Sequence, residues 1–239
     1  RLMRIRYLSL TNLRNYARLE LTLPKRPVLI HGANAQGKTS LLEAIYLLAT
    51  GSSPLTSLDR QIVKWEAEAE GLSYARAWAE IEHRARVHEL EVVLEKRPLT
   101  DGSLRLHKTI RVDRNRKRRA DLGGLLNVVL FMPQDVELVA GSPSRRRRYL
   151  DDTLCQVDAA YCTALERYTK TLRQRNAALR YLRDEGGTPN QLAPLEETLA
   201  RTGVKVARRR YELITKLSQG ADRVHQQLTG GAEWLGIEY

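Results

Sequence analysis

The run Gly32-Ala33-Asn34-Ala35-Gln36-Gly37-Lys38-Thr39-Ser40 matches the phosphate-loop pattern GxxxxGK(S/T). It sits between an apolar run, Val28-Leu29-Ile30, and a helical pattern, Leu41-Leu42-Glu43-Ala44-Ile45-Tyr46-Leu47-Leu48. Strand, loop, helix is the context that such a loop requires, and it places the chain in the α/β class. Gly32 and Gly37 let the backbone curl until successive N–H groups face one anion, and the helix starting near Lys38 adds its positive end. Lys38 is then expected to reach the β- and γ-phosphates of a nucleotide as a point charge, and Thr39 to offer its hydroxyl to Mg2+.

A phosphate ligand sits well with the charge. With 40 Lys+Arg against 28 Asp+Glu over 239 residues the chain carries +12. That surplus favours a polyanionic partner, and with no long apolar stretch the partner is nucleic acid more readily than a membrane. No signal peptide or transmembrane run is visible, so a cytoplasmic location is expected. Met3 is read as the native start. Cys155 and Cys162 lie about 10.5 Å apart along a helix, too far for a disulfide and too few for zinc, so they are expected in the core.

The pattern divides the chain into a P-loop lobe over 1–140 and a helical lobe over 141–239. Two half-buried strands, at 4–10 and around Leu19, Leu21 and Leu23, are joined through Leu13-Arg14-Asn15-Tyr16. After the P-loop helix, Thr56 or Ser57 can cap a short helix through Ile62 and Val63. Strands follow at 74–82, 89–96 and 104–112, broken by turn residues such as Asp101-Gly102. Leu125 to Phe131 form the most apolar strand candidate, ending in Met132-Pro133-Gln134-Asp135. Asp135 has the outline of a Walker B acid, but Pro133 and Gln134 intervene and no second acid follows; Gln134 is read as the group that can reach Mg2+ or an attacking water.

Basic clusters supply the nucleic-acid candidates. Arg114, Arg116, Lys117, Arg118 and Arg119 surround a hairpin-tip composition, which fits either a phosphate-backbone contact or a solvated loop. Arg145 and Arg146 open a run of four arginines that spans more than a helical turn, so some must face protein, ligand or nucleic acid. Ser142 with Pro143 starts that helix. Asp158 caps a second helix running to Gly186-Gly187, and a third runs from about Pro194 to Gly230-Gly231; the two form an antiparallel hairpin. Trp234 to Tyr239 reads as the beginning of a strand.

With these pieces placed, the sequence resembles the RecF family of DNA replication and repair proteins, related to the ABC and SMC-like ATPases. The resemblance is carried by Leu13-Arg14-Asn15-Tyr16, by the loop and Leu41-Leu42-Glu43-Ala44-Ile45-Tyr46, by Met132-Pro133-Gln134-Asp135 through Gly141-Ser142-Pro143 with Arg146-Arg147 and Leu150-Asp151, and by Gln174-Arg175-Asn176-Ala177-Ala178-Leu179. It implies an ABC-type P-loop ATPase head with a mixed sheet and a helical second lobe. It also implies binding of ATP and Mg2+, with Arg14 and Asn15 lining the nucleotide and Gln134 as the Q-loop glutamine. The partners implied are single- and double-stranded DNA at gaps and junctions, a second copy in an ATP-dependent homodimer, mediator proteins of the RecR and RecO kind, and the RecA recombinase.

Two departures follow from the same resemblance. Pro54-Leu55 stands where the family carries an arginine. The signature motif, Walker B acids and switch segment are expected beyond Tyr239, and Leu217-Ser218-Gln219-Gly220 only imitates a signature inside the third helix. The chain is therefore expected to resemble the N-terminal part of such a protein, to bind nucleotide weakly or not at all alone, and to hydrolyse ATP negligibly. A P-loop small-molecule kinase and a DNA-binding scaffold with a vestigial nucleotide site are the alternatives.

Overall fold

The computed structural model describes residues 3–56, 58–64, 74–84, 86–98, 104–186 and 188–239. Arg1, Leu2, Ser57, Asp101-Gly102 and Gly187 lie outside the described residues. The chain divides into two compact units, Arg1–Asp135 and Val136–Tyr239.

Alternating apolar and polar residues build the sheet of the first unit. β1 (Arg4–Leu13) and β2 (Tyr16–Thr22) meet at the Arg14-Asn15 turn. They are joined by β3 (Tyr74–His83), β4 (Arg86–Pro98), β5 (Leu104–Val112) and β6 (Asn115–Lys117). The order is β2-β1-β3-β4-β5-β6, and every neighbouring pair is antiparallel. One face carries Leu8, Leu10, Ala77, Ala79, Ile81, Leu90, Val92 and Leu94, none more than 1% exposed. Helix α1 (Lys38–Thr50) lays Leu41, Ala44, Leu47 and Leu48 on that face, and the alanines of β3 leave room for its backbone. Each buried leucine contributes about 1.5–3 kcal/mol.

The register gives the sheet two distinct ends. The Arg14-Asn15 turn lies at one end, with the Lys96–Leu106 pair of β4 and β5. The β3–β4 turn at Arg84 and the β5–β6 turn at Asp113-Arg114 lie at the other.

Three apolar segments expected as strands form no ladder. Residues 27–32 and 127–132 belong to no strand among the described residues, and Leu29, Val129 and Phe131 are 83% or more exposed. Apolar composition fits a segment to a sheet but cannot supply the neighbouring strand whose N–H and C=O groups complete it. The expected mixed sheet is thus present as its antiparallel part among the described residues. The tail at 234–239 instead lies along the last helix: Leu235 N donates to Asp222 Oδ1 at 3.0 Å and Ile237 N to Ser218 Oγ at 3.1 Å. The short helix expected after Thr56 shrinks to one 3-10 turn, Asp59–Gln61, preceded by a bond from Leu58 N to Thr56 Oγ1.

The second unit is helical. Ser142 and Pro143 open α2 (Pro143–Val157), α3 spans Ala159–Glu185 and α4 spans Ala193–Thr229. Asp158 caps α3 by accepting from Tyr161 N at 2.9 Å. Contacts of Asp158 with Arg209 and Arg175 with Glu196 run in opposite chain order, so α3 and α4 are antiparallel. A Cβ at Gly203 would come within 3.3 Å of the Tyr168 ring, so glycine sets how closely these helices approach. Arg210 donates twice to Asp151, at 2.8 and 2.9 Å, and ties α4 to α2. Cys155 and Cys162 are buried and not disulfide-bonded, and the signature-like Leu217 to Gly220 lies within α4. Among the described residues no helix is long and apolar enough to cross a membrane.

Candidate nucleotide site

The P-loop turns into α1 through Gly37, whose φ of 95° is left-handed. A Cβ there would stand 2.8 Å from both Asn15 Nδ2 and Tyr16 Oη, so glycine is required by backbone and space together. Those neighbours stitch the β1–β2 turn to the loop: Asn15 Nδ2 donates to Ala35 O at 3.3 Å and Tyr16 Oη to Gly37 O at 3.2 Å. Lys38 Nζ folds back over the loop, donating to Gly32 O at 2.8 Å and Ala33 O at 2.6 Å. An ammonium has three donors, so one remains for a phosphate.

Arg14 sits beside this cradle in a left-handed conformation, φ 54°. Its guanidinium is clamped by Glu43 of α1, with Nε to Oε2 at 2.6 Å and Nη2 to Oε1 at 2.8 Å, while Nη1 donates to Gln61 O at 2.6 Å. Glu43 is 1% exposed and also accepts from Ser53 Oγ. Ser53 Oγ in turn accepts from Leu55 N at 3.0 Å and Thr56 N at 3.2 Å. One buried carboxylate therefore fixes the arginine and the loop that follows α1.

These groups border an open cavity of about 1300 Å3. Its cationic lining residues are Arg14, Lys38, Arg60, Lys64 and Lys96; Asn15, Asn34, Ala35, Gly37, Thr39 and Ser40 also line it, and none of the described lining residues is Asp or Glu. Five cations in one lining attract an anion. The donor set fits a triphosphate: an ammonium, a guanidinium, two hydroxyls and a loop whose glycine cannot be filled. For Mg2+ the cavity offers the Thr39 hydroxyl, to be completed by phosphate oxygens and water, since no cluster of His, Cys, Asp or Glu suited to a metal occurs among the described residues.

Of the residues expected here, Gly32 and Ala33 take part through their carbonyls, and Gln36 is exposed outside the lining. Gln134 is not brought to the cavity; its Nε2 donates to Met132 Sδ at 3.6 Å, and Asp135 Oδ2 accepts from Met132 N at 2.8 Å across a 3-10 turn. Glu43, Gln61 and Lys96 were missed. A lone acid within LLEAI gives no sequence signal of its partner, and Lys96 arrives only through strand register.

A model of the family described as AAA domain matches residues 7–219, most of the chain. This chain belongs to the AAA domain family. Within it the resemblance to RecF extends over nearly the whole chain. The DNA replication and repair protein RecF of Chloroflexus aurantiacus is 42% identical over 99% of this chain and 62% of its own length. That of Thermomicrobium roseum is 43% identical over 87% and 54%. A solved structure described as the recombination mediator protein RecF-ATP in the RecFOR pathway matches with a TM-score of 0.82 at 29% identity, covering 95% of this chain and 58% of that one. The chain thus spans about 62% of the length of the first curated relatives.

In this AAA domain the residues expected to touch nucleic acid divide. Arg118 pairs with Asp121, Arg119 Nε donates to Thr50 O at 2.8 Å, Arg145 pairs with Glu137, and Arg146 Nη1 donates to Gly141 O at 2.8 Å and Val139 O at 3.2 Å. Those four brace their own chain. Arg114 meets Glu89 only at 3.3 Å with 86% of its side chain exposed, and Arg116 and Lys117 are exposed on the same hairpin.

Proposed function

We propose that this chain is the nucleotide-holding part of a RecF-like protein that binds DNA under control of ATP and serves recombinational repair. The observation that carries the reading is the cavity in which a P-loop and five cations converge. Lys38 grips the β- and γ-phosphates, Arg14 is held ready at the mouth by Glu43, and Thr39 faces the metal. The Thr39 hydroxyl would help to hold Mg2+, which would supply positive charge to offset that of the phosphates. Gln134 is assigned to the metal on resemblance alone.

The described lining residues supply a phosphate grip, and in this reading ATP acts chiefly as a ligand that stabilises one state. If ATP favours a homodimer, and the dimer favours DNA, nucleotide gates DNA binding by linkage. Single- and double-stranded DNA, RecR- and RecO-like mediators and RecA are the partners that this reading implies.

The test is Lys38→Arg in the complete protein. ATP-dependent DNA affinity, followed by fluorescence anisotropy, is expected to fall to its level without nucleotide. DNA affinity that is the same with and without ATP in the unsubstituted protein would return the chain to a DNA-binding scaffold with a vestigial site.

A further inference from the structure

The sheet end remote from the nucleotide cavity is edged by cations that the rest of the unit does not use. Arg6, Lys25, Arg26, Arg84, Arg86 and Arg116 are all exposed, and none makes an ion pair or side-chain hydrogen bond among the described residues. Elsewhere in the unit several arginines are engaged: Arg4 with Glu82, Arg14 with Glu43, Arg76 and Arg111 with Glu91, Arg97 with Glu95. Of the acids near this end, Glu82 pairs with Arg4, Glu89 with Arg114 and Asp113 with His88 at 2.8 Å, while Glu80 makes no ion pair among the described residues.

Register aligns the six along one rim. Leu23 N bonds Arg6 O at 2.9 Å, which brings Lys25 and Arg26 beside the start of β1. Arg4 pairs with Glu82 and His83 with Arg86, placing the β3–β4 tip next along. Val112 pairs with both Leu90 and Asn115, which sets the β5–β6 tip after it. Strands spaced about 4.8 Å apart make a six-stranded rim about 24 Å long, the axial rise of roughly seven nucleotides of one strand.

The backbone adds a second line of argument. Arg84 and Arg114 occupy left-handed positions, φ 50° and 68°, where glycine or asparagine is cheaper, and the register shift between Ile5 and Tyr7 falls at Arg6. Arginine is kept at both tips against local preference. At the β3–β4 tip lies a hollow of about 420 Å3 whose described lining residues are His83, Arg84, Arg86 and His88, all basic side-chain types.

We infer that this rim is a docking surface for the phosphodiester backbone of nucleic acid, with the 83–88 hollow seating a phosphate. The inference rests on the DNA-binding reading above but extends it from the β5–β6 tip at Arg116, which the basic clusters of the sequence included, to Arg6, Lys25, Arg26, Arg84 and Arg86, which they did not. A linear row of unpaired guanidinium and ammonium groups suits a polymer with one charge per repeat better than a compact acidic patch.

The experiment measures binding of the complete protein to a labelled oligodeoxythymidine strand and to a duplex over a salt series. Arg84→Gln with Arg86→Gln is compared with Arg201→Gln with Lys205→Gln, an equal charge change on α4. The rim variant is expected to lower affinity about tenfold at low salt and to shrink the slope of log K against log salt by about 1.5, with the α4 variant near the unsubstituted protein. A second variant, Arg84→Gly, is expected to raise the melting temperature while weakening binding, since glycine suits the turn and carries no charge. Equal losses in rim and α4 variants would overturn the rim and leave DNA binding standing. No binding by the unsubstituted protein would overturn both. Poly-glutamate bound as tightly, and lost in the same variant, would reassign the surface to an acidic polypeptide.

Discussion

Arg14 shows how much of the site one residue gathers. Its guanidinium joins the β1–β2 turn to α1 through Glu43 and to the 3-10 turn through Gln61 O. The P-loop was legible because its chemistry depends on local spacing, so nine consecutive residues state it. Glu43 was not, because its partner lies 29 residues away and only the fold brings them together. The basic runs were misleading for the same reason: Arg145 and Arg146 look free in sequence, yet find Glu137 and the carbonyls ending a helical turn seven and five residues back. Removing one member of a buried pair leaves the other charge without compensation. Arg14→Ala is therefore expected to lose about 3 kcal/mol of unfolding free energy in urea titrations, because it strands the Glu43 carboxylate. A loss like that of an exposed arginine would show that Glu43 is not held by this pair.

Among elements, the helices were the easiest to read, because caps are local. Asp158, Gly186 and Gly230 mark the ends of α3 and α4 where the sequence placed them. The antiparallel strands β3, β4 and β5 were legible from alternation. Residues 28–30 and 125–131 were not, since pairing depends on a neighbour that composition does not reveal. Asp158 supports a checkable expectation. The Tyr161 N–H bond first, and then Arg209, outweigh burial and hold its carboxyl below the usual aspartate value. A depressed folded value means that the stabilisation is present above the unfolded pKa of about 3.9 and disappears as pH falls through the folded one. Asp158→Ala should cost about 1 kcal/mol at neutral pH, seen as a lower urea midpoint by helical circular dichroism. The difference from the unsubstituted chain should shrink as acid protonates the cap; a difference that persists below the folded value would exclude this origin.

For the molecule as a whole, the two units carry different work: the sheet unit holds the anion cavity and the basic rim at opposite ends, and the helical unit is held by the Arg210–Asp151 tie and the α3–α4 hairpin. Since the described lining residues include no acid, phosphate release from Mg-ATP by this chain is expected to stay at background with or without DNA. Turnover in the chain equal to that of a full-length relative would show that the lining is catalytically sufficient. The segments that expose Leu29, Val129 and Phe131 have their own consequence. At low ionic strength the +12 charge keeps copies apart, but the Debye length contracts to about 3 Å in molar salt. The brine that strips nucleic acid from a preparation therefore also removes the repulsion that keeps these greasy ribbons from finding one another, and purification and solubility pull in opposite directions.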